Sequence, residues 1–210
     1  MIFTTPAGTE WHVGDPGKRL ALRARLPGAF VYDRSAESLR NSKARGTPVS
    51  ERLPLAFAAS WLVNSPASSQ VLRRWSLPPQ IDVWIALVGA LEGPLESEGE
   101  WTPVKALIRR LGDEPRLIES ISKVLALLVP GVVPLMPGPA RTFLLGEAAG
   151  ADADTFAVIG EWFVKEARAH AAELDECASG HDEANLEGAQ VLDRLLWFDS
   201  EGYRHFEGEI

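Results

Sequence analysis

The chain has 210 residues, 46% apolar and 24% charged, with a net charge of −8 and a single cysteine, Cys177. That length suits one buried core, and the near-average composition excludes wholesale disorder. One cysteine excludes an intramolecular disulfide framework and a Cys-only zinc cluster, and an acidic chain is a poor non-specific binder of nucleic acid, where phosphate neutralisation supplies most of the affinity.

The charge is unevenly spread. Residues 1–75 carry eleven Lys/Arg and five Asp/Glu, whereas 147–210 carry four and sixteen. Such a split either sets a basic surface beside an acidic tail or reflects ordinary solvated faces. Seven tryptophans point to core or interface, and fifteen prolines with eighteen glycines predict many short elements. The first residues have no basic segment followed by an apolar run, and no apolar stretch is long enough to span a bilayer, so a cytoplasmic protein with no membrane contact is expected.

The chain opens as β. Residues 3–5 and 10–13 flank a turn at 6–9, and Leu20, Leu22, Ala24 and Leu26 alternate with Ala21, Arg23 and Arg25 at a period of two. After the turn signal Pro27-Gly28, residues 29–32 read as a return strand. The expectation is a short β-ribbon over 1–34. Lys18, Arg19, Arg23 and Arg25 would then be a candidate basic surface, or a charged edge that blocks strand pairing.

Helices are expected from residue 35. Ser50 can cap one through Asn64, with Pro54 in or just past its first turn, and Ser65-Pro66 starts another through Trp75, stopped at Pro78-Pro79. Residues 80–91, nearly all apolar, read as a central helix. Thr102-Pro103 starts an element ended by Gly112, and Asp113 starts the next, through Val129. Residues 130–139 hold four prolines and predict a stiff, ordered connector between helices. Asp152 or Asp154 caps the longest helix, with Phe156, Ile159, Phe163, Ala167 and Leu174 on one stripe. A break over 179–182 precedes a last helix from about Glu183 to Trp197, followed by an acidic tail from Asp199.

Three of these segments, in chain order, resemble an uncharacterised bacterial family of unknown function. Residues 122–134 (SKVLALLVPGVVP) are similar to its SKLLA…P…P signature, and 191–197 (VLDRLLW) to its VLD..LW helix. Residues 53–62 (LPLAFAASWL) are similar in composition to one of its earlier helices. The order of helix, lysine and spaced prolines is also distantly similar to helix-hairpin-helix DNA glycosylase-like proteins. That resemblance implies a helical scaffold whose hairpin amides hold a phosphate and whose nearby lysine or aspartate carries base excision. The chain departs at the decisive positions. Leu135 lies where the pattern places its aspartate, and Val133 where the hairpin has glycine, so base excision is not expected.

Isolated constellations have bland and functional readings. Lys123, among Ile121, Val124 and Leu125, is either a desolvated reactive amine or the partner of a carboxylate. Asp193 lies in an equally apolar run, and burial alone would be costly for either, so a Lys123–Asp193 pair is expected; the alternative gives Asp193 to Arg141 or Arg194 and lets Lys123 reach water. Cys177, His181, Asp182 and Glu183 are metal-capable but read more simply as an acidic helix end and polar loop. His170 fits pairing with Glu166 and Glu173 at helical spacing, His12 and His205 have no companion motif, and Glu96, Glu98 and Glu100 read as solvent-facing. No Walker loop, G-x-S-x-G elbow, G-x-G-x-x-G or H-E-x-x-H occurs.

The sequence therefore predicts a predominantly α, α+β single domain over 1–210, with ribbon 1–34, helical body 35–198 and tail 199–210. A non-enzymatic interaction protein, such as a regulatory or immunity-type partner, is the leading expectation. No catalytic residue, metal or cofactor is assigned, the partner is a protein, and oligomeric state is left open. A nucleic-acid-associated protein on the helix-hairpin-helix-like scaffold comes second, and an enzyme of unrecognised class using Lys123 third. Arg141 and Trp197 join the basic residues as a candidate surface.

Overall fold

The structure is a computed structural model that describes residues 1–62, 78–95, 98–112, 117–147, 149–179 and 186–206. Among the described residues the fold is predominantly helical, with one two-stranded sheet. Strands β1 (Ile2–Thr4) and β2 (Glu10–His12) pair antiparallel with Phe3 opposite Trp11, and both of these side chains turn inward with ring centroids 4.9 Å apart. Their turn needs Gly8 at φ +79°, a conformation that L side chains rarely adopt. Two indoles staple the ribbon to the helices: Trp11 Nε1 donates to Asp199 at 2.8 Å, and Trp162 Nε1 to the Thr4 carbonyl at 2.7 Å.

The ribbon ends there, which corrects the reading of residues 16–34. Helix α1 spans Pro16–Ala24 and α2 spans Pro27–Ala44. Asp15 caps α1 by accepting from the Lys18 amide at 2.9 Å, and Pro16 pre-sets its first turn. Pro27 does the same for α2, so Pro27-Gly28 opens a helix instead of reversing a strand. The period-two pattern misleads because Leu20 enters the main core while Leu22 packs on a small separate cluster with Phe198 and Phe206. On α2, Tyr32, Ala36 and Leu39 form the buried stripe.

Helix α3 (Val49–Leu62) starts one residue before Ser50, with Pro54 inside it. The helix expected from Ser65 to Trp75 and the start at Asp113 lie outside the described residues. In α4 (Pro78–Leu91), Val83, Trp84, Leu87, Val88 and Leu91 are buried while Ile85 is 36% exposed, so this apolar helix buries one face and is not the central one. Helix α5 (Trp101–Leu111) follows a single 3-10 turn, Glu98–Glu100, and ends where Gly112 takes φ +120°.

Helices α6 (Leu117–Leu128) and α10 (Gly188–Ser200) are the most enclosed elements. Between α6 and α7 (Gly138–Leu145) runs the proline-rich connector, with Val133 to Pro137 all buried and none in a strand. Four of its amides find acceptors: Val132 and Val133 donate to the Val129 carbonyl, Leu135 to Asp193 at 2.7 Å and Met136 to Ser122 Oγ at 3.0 Å. This bears out the ordered connector expected from the prolines.

Helix α8 (Ala153–Ala169) is capped by Asp152, which accepts from the Thr155 amide at 2.8 Å, and stops at His170 before α9 (Ala171–Ser179), so Leu174 belongs to a separate helix. Helix α10 begins with a capping box of Glu187 and Gln190 and passes into the 3-10 turn Gly202–Phe206, so the expected tail from Asp199 begins as packed structure. Among the described residues no helix is long and apolar enough to cross a membrane.

Candidate functional site

Beneath the surface where α1, α2 and α10 meet lies a four-member ion network. Asp33 of α2 receives Arg23 Nη1 at 2.5 Å, Arg194 Nε at 3.0 Å and Arg194 Nη2 at 2.7 Å. Arg194 also bonds Asp193, whose other oxygen takes the Leu135 amide. The two cations and two anions cancel, which is what makes burying them tolerable. Burial works to raise the Asp33 pKa, but Arg194 and Arg23 outweigh it and hold the carboxyl below its ordinary value. Burial would lower Arg194, yet Asp33 and Asp193 raise it further above its already high value. Arg23 is lowered by burial and by the repulsion of Arg194. Tyr32, whose ring lies 5.3 Å from the Arg194 guanidinium, is pushed up by burial, and its hydroxyl donates to the Lys123 carbonyl at 2.8 Å.

Above this network opens a cleft of about 430 Å³. Arg23 of α1 and Leu26 just after it, Ala29 and Tyr32 of α2, Glu119 and Lys123 of α6, Leu135 and Pro137 of the connector, Gly138 and Pro139 at the start of α7, and Trp197 and Glu201 line it. Its size falls within the range of ligand pockets, and its lining mixes an apolar floor with a few placed charges. Lys123 Nζ bonds Glu119 at 3.0 Å, one helical turn back. Trp197 is held against Arg23, with the guanidinium 5.8 Å from its ring, and is stacked on His205 at 6.4 Å. Gly202 makes that placement possible, since a Cβ there would lie 2.4 Å from the Trp197 ring.

The expected Lys123–Asp193 pair does not form. Asp193 is committed to Arg194 and the Leu135 amide, and Lys123 to Glu119, because the neighbouring guanidinium is already buried beside Asp193 and needs its charge. The alternative is realised in one half only: Arg194 takes the carboxylate, but Lys123 does not reach water and is held on Glu119 with its side chain 13% exposed. Of the candidate surface residues, Arg23 and Trp197 meet at the cleft. The basic group itself is not a strand edge: all four residues lie on α1 or at its C-terminal end, Arg19 is bound to Asp199 at 2.6 Å, Arg23 is buried on Asp33, and Lys18 and Arg25 are exposed elsewhere. Arg141 turns to the Met136 carbonyl at 2.8 Å, its pKa lowered by burial against the attraction of Glu119.

His170 lies 3.6 Å from Glu166 and 3.5 Å from Glu173, as its spacing predicts, and His12 sits 2.9 Å from Glu10 at the surface. Among the described residues no group of three His, Cys, Asp or Glu side chains could hold a metal; His181, Asp182, Glu183 and Glu96 lie outside them. Tyr32, Asp33, Glu119 and Glu201 were not singled out by the sequence. The signal for Tyr32 and Asp33 was available in the helical spacing of Tyr32, Ala36 and Leu39, which the strand reading of 29–32 concealed. No protein-family model, curated protein or solved structure matches the chain.

Proposed function

We propose that the chain is a non-catalytic binding protein of the regulatory or immunity type, acting in the cytoplasm, whose cleft receives a segment of a partner protein. One observation carries this reading. The cations of the cleft wall are already paired with carboxylates, Arg23 with Asp33 and Lys123 with Glu119, so the wall offers fixed shape and an apolar floor rather than a nucleophile aligned with a base. A nucleic-acid partner is supported less. The connector amides that a helix-hairpin-helix would turn towards phosphate are spent on the Val129 carbonyl, and two of the four basic residues of the first helix region are bound to aspartates.

Copurification from the native source tests the reading. A stoichiometric protein retained by the native chain and lost from Ala29→Trp, which fills the cleft, is the expected result. A partner retained equally by both, or by neither, would contradict it.

A further inference from the structure

Resting on that reading of the cleft, we infer that the seat takes a basic side chain, a lysine or arginine presented on an extended stretch of the partner's backbone. The charge of the wall gives the sign. With Arg23 on Asp33 and Lys123 on Glu119, the charge left without an ion-pair partner among the described residues is the half-buried carboxylate of Glu201. A cation entering the cleft gains that carboxylate at reduced dielectric. An anion would have to displace Glu119 from Lys123 and would meet Glu201 uncompensated.

The remaining wall suits a residue with an apolar stem. Leu26, Ala29, Leu135, Pro137 and Pro139 present carbon to the space, and a lysine or arginine buries its methylenes along such a surface while its head reaches a carboxylate. Trp197 adds the feature that points to peptide rather than to a free amine. Its ring is occupied by Arg23 and His205, so it is not left open as a cation platform, while its indole N–H donates to no group among the described residues. A backbone carbonyl flanking the basic side chain is the acceptor that this donor would take.

The test uses the full chain and three capped tripeptides with lysine, norleucine or glutamate at the centre, titrated at low salt. The Trp197 indole N–H resonance, assigned by its loss in Trp197→Phe, is the readout. The lysine peptide is expected to shift it and to bind about fivefold tighter than the norleucine peptide, the range of a partly exposed ion pair, with glutamate weakest. Glu201→Gln should erase the lysine preference, Glu201→Lys should reverse it towards glutamate, and Glu161→Gln, on the exposed face of α8, should leave it intact. Equal binding of all three peptides, a glutamate preference in the native chain, shifts with free butylamine equal to those with the lysine peptide, or no shift with any peptide would overturn the inference. Copurification lost on filling the cleft would survive each of those results, so the two readings fail separately.

Discussion

Arg194 and Asp33, 161 positions apart in sequence, are joined inside the protein by two hydrogen bonds from one guanidinium edge to a single carboxylate oxygen, at 3.0 and 2.7 Å. Because Asp33 also holds Arg23, it is the shared anion of two buried cations. Asp33→Ala should cost about 3–5 kcal/mol in urea unfolding, since the buried Arg23 loses its counter-charge and Arg194 is left with Asp193 alone. Removing Arg109 from its exposed pair with Asp154 should cost less than about 1 kcal/mol.

The same residue sets a pH dependence. The Asp33 carboxyl is held below its ordinary value, so it favours the folded chain whenever it is ionised, and this contribution is complete above its unfolded pKa of about 4. It is lost as pH falls through the lower, folded value. The stability difference between the native chain and Asp33→Asn should therefore be constant near neutrality and shrink below about pH 4. Thermal unfolding of both proteins across that range measures it.

Two glycines should respond oppositely to alanine. At Gly160 of α8 a Cβ would sit 2.3 Å from the buried Trp101 ring, and Gly160→Ala should destabilise by about 1–3 kcal/mol as the indole is displaced. At Gly89, exposed on α4, a Cβ meets nothing within 4 Å, and Gly89→Ala should stabilise by about 0.5–1 kcal/mol through helix propensity. Differential scanning calorimetry of the two variants should show melting temperatures shifted in opposite directions.

The helical body was legible because its punctuation is local. Asp152 caps α8, Gly112 ends α5, and Pro130, Pro134 and Pro137 keep the connector out of helix and sheet alike, while Pro139 sits in the first turn of α7, where proline is tolerated. Asp15-Pro16 is the same cap-plus-proline signal, yet the alternation of Leu20, Leu22, Ala24 and Leu26 outweighed it, because two leucines on one helix serve two different apolar clusters. The polar interior was half legible. Asp193 and Lys123 are visibly misplaced in apolar runs, so the need for partners could be read, but which partner each meets depends on how helices far apart in sequence are docked. Glu201 gave no sign, since its place on the cleft wall follows from the turn that Gly202 and Trp197 make together.

The connector's rigidity rests on side chains that replace the missing backbone partners. Ser122→Ala leaves the buried Met136 amide without its acceptor and should destabilise by about 1–3 kcal/mol. Hydrogen exchange should show the Leu135 and Met136 amides protected in the native chain, with Met136 exchanging faster in the variant while Leu135, held by Asp193, changes less.

That the cleft is where this protein meets its partner is tested most directly by a photo-crosslinking residue placed at Ala29, on the cleft wall, and in a second protein at Val158, exposed on α8. In cells of the native source, the Ala29 protein should give one discrete crosslinked species, and the Val158 protein should not. A crosslink from Val158 alone, or the same species from both positions, would contradict the assignment of the cleft as the binding site.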